Sequence, residues 1–291
     1  MKLKLKKKIK PYLLLLPALA VLLGIFAAGL ILGFLQSLGY SPLEGRFNLT
    51  AEHYAKALSA SGFYKSLLFS LKTSAVSSAI AVVFGVMLAY MLLKSRDRLK
   101  AERIAYKLPV VVPHLVASLL AYSVLSQSGI LARLAYTIGF IEAQEQFPSL
   151  LFDRGGVGII AAYVWKGAPY IAMVTYSVLR GINENLVDAA RNLGATDRQI
   201  LSNILLPIST PTIFSSFIII FAFSFGAFEI PYLLGPTSPR AIPVEAYVQY
   251  INPDWSNRPY AMAISMISAA MSFVMLMAYQ KLFEKIRKYG R

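Results

Sequence analysis

The chain contains no cysteine, and its only two histidines, His53 and His114, stand far apart among 291 residues. The first absence excludes a disulfide framework, a thiolate metal site and a cysteine nucleophile. The second argues against a histidine metal site or a histidine-dependent triad. Charge is scarce as well. Charged residues make up 15% and hydrophobic residues 57%, with a mean hydropathy of +0.58. Soluble globular chains have about 25% charged and about 45–50% apolar residues, so this is the composition of a bilayer protein. The same figures exclude disorder, which requires a polar chain poor in aromatics. No G-x-x-x-x-G-K-[ST] string occurs, so the chain lacks the loop that cradles ATP phosphates. No internal repeat is evident, and the only biased tract is the lysine-rich start.

A hydrocarbon core about 30 Å thick needs roughly 20 apolar residues of helix. Six segments meet that requirement: Leu13–Leu35, Leu67–Leu93, Leu108–Ser126, Val157–Leu179, Thr212–Leu234 and Tyr260–Leu282. Pro113, Pro169 and Pro231 interrupt three of them, which membrane helices tolerate when neighbours satisfy the freed backbone groups. Ala18–Leu19–Ala20 after the lysines resembles a signal cleavage site, but the apolar run continues to Leu35. An uncleaved anchor is therefore expected.

The net charge of +15 has a topological reading. Lys and Arg number 20 in the N-terminus, the second loop, the fourth loop and the C-terminus together. The other three loops hold 7: Arg46, Lys56, Lys65, Arg133, Arg154, Arg240 and Arg258. Positive-inside bias puts both termini in the cytoplasm, with the basic excess near anionic headgroups. A nucleic-acid partner is not needed to explain it.

The fourth loop carries the most information, in the stretch NENLVDAARNLGATDRQILSNILLP from Asn183 to Pro207. Asn183 is placed as an N-cap and Glu184 lies in the first turn, where negative charge is favoured. Gly194 is placed to adopt the left-handed conformation that closes a helix. Thr196 and Gln199 have the spacing of a capping box for a second helix. Pro207 marks the end of that helix, or a kink into the fifth span. Residue types alone describe two short helices around a turn between membrane spans.

The full pattern goes further. Asp188, Ala189 and Ala190 are followed after three residues by Gly194, then after nine by Ile204, Leu206 and Pro207. This resembles the EAA loop of binding-protein-dependent ABC importer permeases, E-A-A-x3-G-x9-I-x-L-P. Only the first position departs, where Asp188 keeps the charge of Glu. The resemblance implies an all-α, six-span membrane protein with the type I importer (MetI-like) permease core. It divides the chain into 1–65 (basic N-terminus, first span and external segment), 66–280 (five-helix permease domain) and 281–291 (basic tail). It implies that the loop 183–207 is a coupling element seated on a separate cytoplasmic ATPase, with Ala189 and Ala190 allowing close approach. The implied partners are two ATPase subunits, a second permease subunit (identical or homologous) and an extracytoplasmic solute-binding protein. ATP and Mg would bind the ATPases, leaving no cofactor, metal or catalytic residue in this chain. Leu151–Phe152–Asp153, Tyr163–Val164–Trp165–Lys166 and Phe225–Gly226–Ala227–Phe228–Glu229–Ile230–Pro231 resemble the polyamine-type branch, which makes a polyamine the first expected solute. A sugar or an organic anion such as a phosphonate is the alternative.

Ionisable residues inside a membrane default to functional roles. Lys166 falls near the middle of the fourth span and Glu229 nearer one end of the fifth. The sequence leaves open an ion pair between them and a contact with solute. Tyr163, Trp165, Tyr170 and Phe225 complete the candidate pathway residues. Lys72 is expected to snorkel, and His114 to hydrogen-bond backbone freed by Pro113. An intramembrane enzyme would need a convergent nucleophile or metal cluster. An ion-driven carrier would usually show inverted repeats. Neither signature is present in the sequence.

Overall fold

The computed structural model describes Tyr12 and residues 14–42, 45–95 and 106–289, except the side chains of Glu184 and of 282–289. The lysines at 2–10 and the basic residues at 96–103, on which part of the charge split rests, lie outside the described residues. Among the described residues the chain is helical, and its only extended pairing is one bridge between Ser41 and Arg46. Six helical runs are long and apolar enough to cross a membrane: Leu14–Ser37, Ser61–Lys94, His114–Thr137, Val157–Arg180, Asp197–Gly226 and Trp255–Lys281.

In chain order the helices are α1 (Leu14–Ser37), α2 (Glu52–Ser59), α3 (Ser61–Lys94), α4 (Leu108–Val111), α5 (His114–Leu125) and α6 (Ile130–Thr137). They continue as α7 (Val157–Arg180), α8 (Glu184–Asn192), α9 (Asp197–Ile200), α10 (Leu206–Gly226), α11 (Glu229–Leu234), α12 (Ile242–Tyr250) and α13 (Arg258–Tyr289).

Two of the spans read from sequence are corrected. The third was expected as one run from Leu108 to Ser126. It breaks after Val111, where Val112 is extended at φ −63° and ψ 127°, and the crossing run starts at His114. A residue before proline is driven out of the helical region, and Pro113 has no N–H to offer. The fifth was expected to end at Leu234. It ends at Gly226, Ala227 is extended, and Glu229 opens the separate α11. Pro231 cannot donate to the Ala227 carbonyl four residues back, so the helix cannot run through.

By internal contacts the chain forms two units, Met1–Ala60 with Glu245–Ser268, and Ser61–Val244 with Ala269–Arg291. In the first, Ser37 and Tyr54 share a hydrogen bond of 2.6 Å, and the Lys56 ammonium lies 5.0 Å from the Tyr260 ring centroid. The Arg258 guanidinium sits over the rings of Trp255 and Tyr250. The Ser256 side chain and backbone N–H both bond to Asp254, which holds that carboxyl below the usual carboxylate range.

In the second unit α3 and α7 pack along their length, with α10 against both. The face of α3 that allows this is a stripe of small residues: Ser70, Ser74, Ser77, Ala81, Gly85 and Ala89 are buried. Lipid tails are as apolar as leucine, so membrane helices associate by close packing, which small side chains permit. The Ser70 hydroxyl also accepts from the Ile242 backbone N–H at 2.8 Å, capping α12. At the start of α7, both carboxylate oxygens of Asp153 accept backbone N–H groups, from Gly155 at 2.7 Å and Val157 at 2.8 Å.

Candidate functional site

The loop between α7 and α10 folds as its local chemistry dictates. The Asn183 side chain accepts from the Asn185 backbone N–H at 3.0 Å and starts α8. The helix closes with a paired motif, in which the Ala195 N–H donates to the Ala190 carbonyl and the Gly194 N–H to the Arg191 carbonyl. Such a closure needs a left-handed residue, and Gly194 supplies it at φ +83°. Thr196 and Gln199 then form both arms of a capping box that starts α9. A π turn, Leu201–Leu205, joins α9 to α10 without a break. Pro207 therefore lies inside a continuous helical run, in the first turn of α10, rather than at a helix end.

The seven pattern residues divide between outside and inside. Asp188, Ala189, Gly194 and Pro207 are exposed, while Ala190, Ile204 and Leu206 are half-buried. Ala190 packs inward, against a core of Ala89, Ala172, Leu179, Ile200 and Leu205. Of the two alanines, Ala189 is the one presented outward. Sequence reasoning passed over Leu193, whose side chain is 89% exposed at the tip of the loop, and Leu186, also exposed. The signal was available: both are large apolar residues on a loop whose other outward positions are mostly polar.

Charge fixes the loop against α3, a contact the sequence did not suggest. The Lys94 ammonium lies 3.0 Å from one Asp197 carboxylate oxygen, and Arg191 lies 3.6 Å from the other. Arg191 also approaches Asp188 at 3.9 Å. The carboxylate of Asp197 stands in the first turn of α9, where the helix dipole favours it. Solvent screens such exposed pairs, so they contribute little to stability. Their consequence is geometric, since the loop follows the end of α3. Between them lies an open cleft of about 600 Å³, lined by Tyr90, Lys94, Tyr176, Arg180, Arg191 and Asp197 among others.

The intramembrane candidates are placed less uniformly. Lys166 is buried, and its ammonium donates to the backbone carbonyls of Pro109, at 2.9 Å, and Val112. Glu229 is exposed at the start of α11, and no ion pair joins it to Lys166. The expected bond from His114 to backbone freed by Pro113 is replaced by that of Lys166. The His114 ring instead lies against Phe223, with centroids 4.8 Å apart. Tyr163 is buried and donates to the Ser224 carbonyl at 3.2 Å. Phe225 is buried and stacks with Phe221. Tyr170 is half-buried against Ala81, Ala168 and Ile171, whereas Trp165 and Lys72 are exposed. Among the described residues no group of three or more His, Cys, Asp or Glu could hold a metal ion.

The chain is similar to known proteins. A probable molybdenum ABC transporter permease protein of Haloferax volcanii is 24% identical over 208 residues, 71% of each chain. The spermidine/putrescine transport system permease protein PotB of Salmonella typhimurium is 25% identical over 244 residues, 82% of this chain and 81% of its own. In structure, the chain superposes with a TM-score of 0.77 on a chain of a bacterial ABC transporter involved in the import of the acidic polysaccharide alginate. That match covers 97% of this chain and 99% of the other at 22% identity, a likeness of fold. Residues 81–288, which hold the 183–207 loop and the last four of the six membrane-length helices, match the model of the binding-protein-dependent transport system inner membrane component, and the chain belongs to that family.

Proposed function

We propose that this chain is the translocating subunit of an ABC importer and that the 183–207 loop is its coupling element, seated on a separate ATPase. The observation that carries this reading is the closed helix pair itself. Its caps are internal and it is braced against α3, yet it presents Leu186, Ala189 and Leu193 to solvent. Apolar side chains exposed on a braced element suit a protein surface. The 20-to-7 charge split supports a cytoplasmic side for both termini and this loop. ATP and Mg belong to the ATPase partner, and energy reaches this chain only mechanically. Closure of two ATPases would move the loop and rock the spans between inward- and outward-open states. A second permease subunit completes the pathway, and an extracytoplasmic solute-binding protein delivers the solute.

The solute is proposed to be a small polyamine. Likeness to the spermidine/putrescine permease extends over more of the chain than likeness to the molybdenum permease, and the exposed Glu229 carboxylate suits a cationic solute. A second reading, an oxyanion, is favoured by the buried Lys166 ammonium and by the molybdenum relative. Uptake of labelled spermidine and of labelled molybdate, in cells deleted for this chain and complemented with it, separates the two. Restored spermidine uptake that excess molybdate leaves unchanged is expected. Restored molybdate uptake alone would overturn the polyamine reading, and restoration of neither would overturn both.

A further inference from the structure

We propose that Lys166 is a positioning residue, which supplies from α7 the hydrogen bond that Pro113 cannot make. In a continuous helix the N–H of residue 113 would bond to the carbonyl of residue 109. Proline has no N–H, so the Pro109 carbonyl is stranded. Proline also drives the preceding residue into extended conformation. Val112 obeys, and its carbonyl leaves the helical ladder. The two carbonyls to which the Lys166 ammonium donates are those two.

Three observations make this more than proximity. The ammonium approaches both acceptors from residues 57 and 54 positions away, so the contact is tertiary rather than local. The side chain is buried in the middle of α7, within a run of membrane-spanning length. Among the described residues no carboxylate pairs with it, and its acceptors are backbone carbonyls. In hydrocarbon an unsatisfied carbonyl has no alternative partner. The entry of α5 is thereby set by α7, and its first residue, His114, lies against Phe223 of α10. One ammonium fixes how three spans meet.

This inference does not rest on the solute or on the coupling role, and its test needs neither. Thermal unfolding of the full chain in detergent is compared for Lys166→Met, Pro113→Ala, the double variant, and Lys166→Met with Pro169→Ala. Lys166→Met is expected to lower the midpoint by about 5 °C or more. Pro113→Ala restores an N–H to residue 113 and frees residue 112 to become helical, so the double variant should recover at least half of that loss. Pro169→Ala, measured alone and with Lys166→Met, restores an N–H within α7 itself, so its effect should be the same in both backgrounds, whereas Pro113→Ala should raise the midpoint more with Lys166→Met than without it. An unchanged midpoint in Lys166→Met overturns the proposal. So does a double variant no better than Lys166→Met, or an effect of Pro113→Ala that is the same in both backgrounds.

Discussion

Gly85→Leu is expected to leave the chain unable to reach its native helix packing, with most of the protein lost from the detergent-soluble folded fraction. The reason lies in the approach of α3 to α7. A Cβ at position 85 would lie 2.7 Å from the Ile171 Cβ and 2.8 Å from the Ala168 carbonyl oxygen. Neither atom is the far end of a flexible side chain, so one of these two spans would have to move. Overpacking typically costs about 1–3 kcal/mol when side chains can adjust. Here backbone is the obstacle, which places the expected cost at or above that range. Ala81 and Ala89, one turn to either side, are wholly buried, so a shift at 85 opens contacts above and below. Size-exclusion recovery and thermal unfolding of the variant, beside Gly62→Leu as a control with open space around it, measure the effect. Recovery equal to the control would show that α3 and α7 do not pack this closely.

Gly194→Val should separate insertion from transport. No atom beyond its chain neighbours lies within 4 Å of a Cβ built at Gly194, so the substitution meets no steric obstacle. Its difficulty is the backbone alone. A φ of +83° costs an ordinary residue about 1–2 kcal/mol, and a β-branched residue adopts it least readily. A penalty of about 1.4 kcal/mol lowers the ratio of closed to open helix pair tenfold. The variant should therefore insert like the parent while solute-stimulated ATP hydrolysis and uptake fall, by up to about tenfold where the closed pair is not in large excess. Gly194→Asn, which tolerates the left-handed region better, should retain more of both. Unimpaired uptake in Gly194→Val would separate the turn from coupling.

The parts of the chain that followed from sequence are those governed by local chemistry. Asn183, Gly194, Thr196 and Gln199 each play the capping part that their type and spacing indicate, because a cap involves only neighbours along the chain. The six apolar runs were legible for the same reason, since length and hydropathy need no partner. Where the reading failed, the deciding contact was tertiary. Pro113 announced stranded carbonyls, but not that Lys166 rather than His114 would bond to them. Glu229 fell within the expected fifth span because apolar residues continue past Gly226, while the helix stops there. Nothing local joined Lys94 to Asp197 across 103 positions. The small-residue stripe of α3 was visible as Ser70, Ser74, Ser77, Ala81, Gly85 and Ala89. Its spacing follows the helical period, and it would have identified the face that meets α7.

The central claim, that the 183–207 loop is where an ATPase engages this chain, is tested most directly by cross-linking from Leu193. The chain has no cysteine of its own, so Leu193→Cys introduces a single reactive thiol at a highly exposed position of the loop. Co-expressed with the ATPase of the same transporter, the variant should yield a covalent permease–ATPase product with a short thiol-directed cross-linker. That product should change in yield when ATP is added and fall when Gly194→Val is combined with it. If no ATPase cross-link forms, and an impermeant maleimide added outside intact cells labels the cysteine, the loop faces away from the cytoplasm and the coupling account is contradicted.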